Sequence, residues 1–144
     1  MAFDPLSFTP PFAQALGFEF IDETDGRLTV RAPWAEHLVG DPDAGVIHGG
    51  VITAMLDNAC GRAVHMARVN AGRDDEGAIA TLDLRIDYMS PAETGKDLYA
   101  QAHCYRMTRN VAFVRATAYT ETVDRPVANA VGAFMLGTPS ERPA

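Results

Sequence analysis

The sequence predicts an α+β domain in which one long central helix is wrapped by an antiparallel sheet of about five to six strands. Three observations carry this expectation. The run from Gly45 to Ala67, GVIHGGVITAMLDNACGRAVHMA, opens on glycines and then places apolar residues at helical spacing. From Ala78 to Tyr88 apolar and polar residues alternate with the period of a strand. Three further apolar segments follow, separated only by short turns, which is the signature of an antiparallel meander.

A chain of 144 residues is one domain by size, spanning residues 1–144 with a loose lead-in at 1–10 and a loose tail at 137–144. Pro11 suits the first turn of a helix, where its missing N–H costs nothing, and Phe12, Ala15 and Leu16 continue at helical spacing until Gly17. Phe18 to Asp22 and Arg27 to Ala32 read as strands around the turn Glu23-Thr24-Asp25-Gly26, since Asp-Gly is a strong hairpin signal. Trp34 to Ala44 reads as irregular. After the central helix, Asn70 to Gly77 is a polar loop, and Ser90-Pro91 ends the strand that starts at Ala78. In that strand Ala80, Leu82, Leu84, Ile86 and Tyr88 are expected on one face, and Thr81, Asp83, Arg85 and Asp87 on the other. The last strands are expected at Lys96–Met107, Val111–Glu121 and Val127–Leu136.

Composition narrows the function. Apolar residues make up 47%, enough for a core without disulfides or metal, and the formal charge is −7. Such a balance argues against nucleic acid or an anionic membrane as partner, because both select basic surfaces. It leaves room for an anionic ligand held by a local cluster of arginines. Cys60 and Cys104 form no C-x-x-C pair and read as small core residues. No apolar run approaches the ~20 residues of a spanning helix, and Met1 to Pro11 lacks the basic-then-apolar order of a secretory signal. A cytoplasmic, reducing setting is the expectation.

Placed at about 100° per residue, Ile52, Thr53, Met55, Leu56, Ala59, Cys60, Ala63, Val64, Met66 and Ala67 fill one wide apolar arc. Val51, Asn58, Arg62 and His65 form the wetter side. Asp57 sits at the edge of the arc beside Gly50, Ala54 and Gly61. Small neighbours leave room for a second subunit or a substrate to approach that carboxylate. Glycines inside a helix cost ~1 kcal/mol each relative to alanine, so their presence calls for a reason.

His48-Gly49-Gly50 at the helix start offers one. The first N–H groups of a helix lack internal partners and carry the positive end of its dipole. The N–H of Gly49 or Gly50 is therefore placed to hold a carbonyl oxygen as it turns anionic, and one such donor is worth ~10²–10³ in rate. His48 serves either as a general base or, by hydrogen bonding, as the residue that orients the loop. His65 and His103 have no neighbours that suggest a metal site, and no G-x-S-x-G, H-E-x-x-H, G-x-G-x-x-G or P-loop pattern occurs. Asp57 lies ~10–12 Å from the glycines along the helix axis. A base or nucleophile and an oxyanion donor must both come within ~3 Å of one carbonyl. A single helix cannot supply both, so an obligate homodimer is predicted, with Gly49 of one subunit facing Asp57 of the other.

The run VIHGGVITAMLDNACG, followed by ATLDLRIDYMSPA, resembles the hotdog-fold acyl-CoA thioesterases of the phenylacetate-degradation (PaaI-like) type. The resemblance covers Gly40 to Leu136. It implies a hotdog fold, sheets joined edge to edge in a dimer, and dimers that pair into tetramers. It implies an acyl-CoA substrate, with coenzyme A entering as part of that substrate and no separate cofactor or metal. Residue by residue, it assigns the oxyanion N–H to Gly49, the role of nucleophile or general base to Asp57, and the positioning of water or acid to Thr81. It places the nucleotide end of coenzyme A against basic side chains, for which Arg106, Arg109 and Arg85 are the candidates. Many members carry an Asn six residues before the His. Here that position is Pro42, flanked by Asp41 and Asp43, so Asp43 and Gly50 join the arginines as substrate-binding candidates. Two other readings stand beside hydrolysis. One is a non-catalytic acyl-CoA or lipid sensor, motivated by the missing Asn. The other is a dehydratase of 3-hydroxyacyl thioesters, which needs a His in partnership with an acid. His48 lies ~180° from Asp57 around the helix, which opposes that partnership within one chain.

Overall fold

A helix of 22 residues, α2 (Gly49–Asn70), forms the axis of the molecule in a computed structural model that describes residues 9–24, 26–73 and 77–138. The short helix α1 (Pro11–Ala15) and the hairpin β1 (Glu19–Thr24) and β2 (Arg27–Ala32) precede it. Strands β5 (Ala78–Tyr88), β6 (Leu98–Met107), β7 (Val111–Tyr119) and β8 (Ala128–Thr138) follow. Together they make a six-stranded sheet in the order β1-β2-β6-β7-β8-β5, antiparallel throughout. The α+β expectation holds, and β5, which follows the helix directly, crosses to the far edge beside β8 rather than joining β6.

The helix packs most extensively on β6 and β7. Most of the buried residues on those strands are small: Ala100 and Ala102 on β6, and Ala112, Ala116 and Ala118 on β7, beside the larger Leu98 and Val114. Alanines on the sheet let the helix come close, and the volume is filled from the helix by Ile52, Met55 and Leu56 and from β8 by Phe134. Cys60 is fully buried in this core, while Cys104 packs at its margin, half-buried.

Four details differ from the sequence reading. Trp34 to Ala44 is not irregular: a 3-10 turn at Glu36–Leu38 leads into β3 (Val39–Asp41), which pairs with β4 (Val46–Ile47). The connection closes at Gly45, whose φ of 68° favours glycine and where a Cβ would stand 2.7 Å from Thr94 Cγ2. The helix extends through Asn70; of the loop expected at Asn70–Gly77, residues 74–76 lie outside the described residues, as do Asp25 of the first hairpin turn, 1–8 of the lead-in and 139–144 of the tail. On α2 the expected wet side is partly dry. Val51 and Arg62 are each only 8% exposed: α1 packs against α2, and Arg62 Nη2 donates to Thr9 Oγ1 at 3.1 Å.

The fourth difference concerns β5. Its register against β8 shifts between Thr81 and Asp83, so Leu82 is an extra, bulged residue, 52% exposed. Before the bulge Ile79 and Thr81 pair with Leu136 and Phe134, which face the core; after it Leu84, Ile86 and Tyr88 pair with Gly132, Ala130 and Ala128. The bulge reverses the alternation. Thr81 therefore shares the helix-facing side with Leu84, Ile86 and Tyr88 instead of lying opposite them.

Candidate active site

His48 is the N-cap of α2, with an extended backbone at φ −59° and ψ 137°. Its N–H donates to Leu38 O at 2.8 Å, and its carbonyl accepts from Val51 N–H at 2.9 Å. Its imidazole Nδ1 accepts from Gly50 N–H at 2.7 Å, which leaves the ring proton of the neutral imidazole on Nε2. The ring is clasped between two glycines. A Cβ on Gly50 would lie 2.9 Å from Nδ1, and one on Gly40 would lie 3.1 Å from His48 Cα. The sequence left the anion-binding donor open between two N–H groups. The geometry separates them: Gly50 N–H is engaged by His48, whereas Gly49 N–H has no acceptor among the described residues.

Space around Gly49 is also open. A Cβ there would meet Tyr88 Cε1 at 3.7 Å, an ordinary contact, so packing does not require glycine at this position. What the missing side chain leaves is access to the N–H from outside.

Asp57 stands two turns further along, half-buried, and its Oδ1 accepts from the Thr81 hydroxyl at 2.8 Å. The bulge at Leu82 makes this bond possible. Thr81 and Tyr88 are an odd number of residues apart, and in a regular strand only one of them could face the helix. One turn beyond, the Cys60 thiol is pushed up to about 12, by burial first and by the charge of Asp57 second. It stays a neutral core group beside the carboxylate.

Two hydroxyls that the sequence reading left unassigned converge on the helix start. Thr53 Oγ1 donates to Gly49 O at 3.1 Å, and Tyr88 Oη donates to the same carbonyl at 3.2 Å. The two hydroxyls also contact one another. Thr53 was legible as a threonine four residues after Gly49, where its hydroxyl can bond the carbonyl one turn back. Tyr88 carried no such signal, because its face depends on the bulge.

The remaining candidates lie elsewhere. Asp43 N–H donates to Asp41 Oδ1 at 3.0 Å, within the β3–β4 connection. That connection is braced by Trp34 Nε1 donating to Gly45 O at 3.2 Å and by the Thr94 hydroxyl donating to Ala44 O at 2.6 Å. Asp43 and Pro42 line a groove of about 480 Å³ with Trp34, Glu36, Val39 and Thr94. Arg106 and Arg109 are exposed at the β6–β7 turn, where Arg73, just past the end of α2, donates to Arg109 O at 2.8 Å. Within one chain they sit ~30 Å from His48 along the helix. Arg85 is exposed on β5 and pairs with Asp87 at 3.2 Å. One chain thus brings together His48, Gly49 and Gly50, and separately Asp57 and Thr81; it unites neither set with Asp43, Arg106 or Arg109. Among the described residues no group of side chains could hold a metal ion, and no helix is long and apolar enough to cross a membrane.

Comparison with known proteins places this geometry. The Thioesterase superfamily model matches residues 44–127, which include His48, Gly49, Asp57, Thr81 and Tyr88. A Halobacterium salinarum protein with a provisional esterase name is 34% identical over 121 residues, covering 81% of this chain and 77% of the relative. The medium/long-chain acyl-CoA thioesterase YigI of Escherichia coli is 28% identical over 135 residues, 88% of this chain and 86% of that one. Among solved structures, a Pseudomonas aeruginosa protein superposes with a TM-score of 0.75 at 43% identity, covering 86% of this chain and 88% of its own. A mutant of the phenylacetic acid degradation protein PaaI from Thermus thermophilus does so with a TM-score of 0.71 at 25% identity, covering 88% and 98%. A long helix inside a six-stranded antiparallel sheet, opened by His-Gly-Gly and matched by this family over more than half its length, belongs to the thioesterase superfamily: the chain is a thioester hydrolase of the hotdog fold, PaaI-like in type.

Proposed function

We propose that the chain hydrolyses acyl-CoA thioesters to the free acid and coenzyme A in the cytoplasm, as a homodimer whose active sites are shared between subunits. The observation that carries this reading is the separation of two prepared groups. Gly49 presents an N–H with no acceptor among the described residues at the positive end of α2, and Asp57 presents a carboxylate oriented by Thr81 about 12 Å along the same helix. Gly49 N–H takes the thioester oxygen as the carbonyl carbon becomes tetrahedral. Asp57 of the facing subunit either attacks that carbon or removes a proton from the attacking water. The C–S bond then breaks and the thiolate of coenzyme A leaves, taking up a proton; where Asp57 has attacked, water next hydrolyses the mixed anhydride and restores the carboxylate. Thr81 holds Asp57 in its working rotamer, and His48 holds the loop and Gly50 so that Gly49 N–H points outward. Coenzyme A enters as part of the substrate, with no further cofactor, and Arg106 and Arg109 are the proposed contacts for its phosphates across the subunit boundary.

The edge position of β5 supports the shared site. Among the described residues its outer edge pairs with no strand, and Leu82, Tyr88 and the following Met89 expose more than half of their surface. Unpaired edges with apolar side chains join other edges. Thr81 marks Asp57 on this strand and Tyr88 marks Gly49. An antiparallel pairing of two β5 strands about an axis at Arg85, with the bulged Leu82 left out of the register, brings each mark opposite the other. A dimer of such dimers extends the same proposal.

The test is thiol release across short, medium, long and aromatic acyl-CoAs, with sedimentation to fix the mass. Asp57→Asn should lower turnover by ~10²–10⁴ while the protein stays folded and dimeric. Near-normal hydrolysis by that variant, or full activity from a monomer at high dilution, would overturn the reading. A second reading, an acyl-CoA binder without turnover, is favoured by one observation: Pro42 offers no N–H, and the Asp43 N–H is already tied to Asp41. Tight binding with no thiol release from any acyl-CoA would establish it.

A further inference from the structure

We infer that Tyr88 is a positioning residue for the oxyanion donor, acting through the carbonyl of Gly49 together with Thr53. The inference rests on the proposed hydrolysis at Gly49.

The donor is carried by the peptide between His48 and Gly49. Peptide planarity ties the direction of its N–H to that of its C=O, which is fixed along the helix by Val51 N–H at 2.9 Å. The next two residues are glycines, the softest backbone available. Without outside support the first turn could tilt, and the N–H with it. The peptide between Gly49 and Gly50 supplies that support because both of its ends are held. Its N–H is held by His48 Nδ1 at 2.7 Å, and its C=O by Thr53 at 3.1 Å and Tyr88 at 3.2 Å.

These anchors are not equivalent. His48 and Thr53 belong to the same loop and helix as the donor, so they move with it. Tyr88 belongs to β5, which is fixed in the sheet through its ladder with β8. It is the one anchor among the described residues that ties Gly49 O to another part of the molecule. The same strand holds Asp57 through Thr81. A rotation of the helix start would therefore be resisted by the strand that also orients the carboxylate. Proton counting shows how the three contacts coexist. Two hydroxyls carry two protons, so when both donate to Gly49 O their mutual contact is left without one. When Tyr88 donates to Thr53 Oγ1 instead, Thr53 still donates to Gly49 O. The pair acts as a unit, and the carbonyl is held in either arrangement.

Electronic effects are not involved, since the hydroxyls bond the peptide after the donor's own. The consequence is aim. A displacement of ~1 Å at a reacting group costs up to ~10² in rate. Tyr88→Phe keeps the ring beside Gly49 and removes only the hydroxyl. It should lower kcat by about 10- to 100-fold, leave KM within about twofold, and leave the melting temperature and dimer mass as in the wild type. Thr53→Val should lower kcat in the same sense, Thr53→Ser should restore it, and the Tyr88→Phe/Thr53→Val pair should lose far less than the product of the single losses.

A spectroscopic measurement reads the donor directly. With a ¹³C-carbonyl acyl-CoA bound to Asp57→Asn, the thioester band should shift to lower frequency, and adding Tyr88→Phe should remove much of that shift. The inference is overturned if Tyr88→Phe retains kcat and the band position, or if it raises KM alone. If Tyr88→Phe does not fold, the comparison of Thr53→Val with Thr53→Ser decides, and equal kcat in the two overturns it. No hydrolysis of any thioester by the wild type overturns the proposed function and this inference together; hydrolysis that is indifferent to the hydroxyls overturns only the latter.

Discussion

Replacing Gly50 by alanine separates the stability of the helix start from its aim. The new Cβ would lie 2.9 Å from His48 Nδ1 and 3.2 Å from Cε1, closer than side chains tolerate, so the imidazole must move and the 2.7 Å bond to residue 50 N–H is lost. Loss of a side-chain N-cap costs ~1 kcal/mol. Alanine in place of glycine within a helix returns ~1 kcal/mol. The two terms cancel, so the melting temperature should stay within ~2–4 °C of the wild type, the shift that 1 kcal/mol produces in a domain of this size. Turnover should not survive so well. His48 no longer holds the loop, residue 50 N–H is released to compete for the same oxygen, and kcat should fall by ~10–100-fold. Gly40→Ala is the informative comparison. It crowds His48 from the other side, against its Cα at 3.1 Å, and gains no helix propensity, so stability and turnover should fall together. Scanning fluorimetry and a thiol-release assay measure both quantities. Full activity of Gly50→Ala with an unchanged melting temperature would refute the idea that the His48 cap sets the aim of Gly49. A drop of more than ~10 °C would show that the cap is chiefly structural.

Two further outcomes follow from the packing. Thr81→Val removes the donor at 2.8 Å from Asp57, and deleting Leu82 removes the bulge that turns Thr81 inward, so both should reduce turnover to a similar level; deletion should also destabilise the protein by turning half-buried Ile79 outward, and an active deletion variant would show that strand parity does not matter. The Cys60 thiol is pushed from its usual 9.0 to about 12 by burial and by Asp57. Above pH 9 the unfolded chain loses this proton while the folded chain keeps it, so stability falls as pH rises, by an upper bound of ~4 kcal/mol by pH 12. Urea unfolding at several alkaline pH values should show a shallower decline for Cys60→Ala than for the wild type, and parallel declines would rule this origin out.

Much of the fold is legible because it rests on local pattern. The helix shows in the spacing of Ile52, Met55, Leu56, Ala59 and Ala63, and the meander in turns of a few residues at Thr108-Arg109-Asn110 and Val123-Asp124-Arg125. The pieces that were not legible depend on partners far away in sequence. Nothing local tells that β5 pairs with β8, or that Arg62 will be covered by the segment carrying Thr9. The hairpin of β3 and β4 is too short for periodicity to show; it is held by Trp34 and Thr94 bonding Gly45 O and Ala44 O, from 11 and 50 residues away. In the site, His-Gly-Gly and Asp57 were readable as chemistry, since a helix start and a carboxylate among small residues each carry a physical meaning. Which N–H is open was not, because it depends on where the His48 ring turns. The face of Thr81 was misread for the reason that makes it useful: the bulge at Leu82 breaks the alternation on which the reading rested.

That break bears on why one strand serves two places on the helix. The groups that bear on α2 from β5 must meet it at its first turn and again two turns later, at Gly49 and Asp57. A regular strand offers every second residue to the helix, so Thr81 and Tyr88, an odd number apart, could not both be offered. Moving either by one residue would restore parity but shift its height by ~3.3 Å, beyond the reach of a hydrogen bond. An inserted residue solves the parity and keeps both heights. It also leaves Leu82 exposed on a strand whose outer edge, among the described residues, pairs with nothing. Under the proposed pairing of two such edges, the bulge that aligns the half-sites inside one subunit lies on the surface that joins them to the other. Substitutions at Leu82 that keep the chain length should therefore lower turnover only as far as they lower assembly, whereas deletion should lower it in the assembled dimer as well.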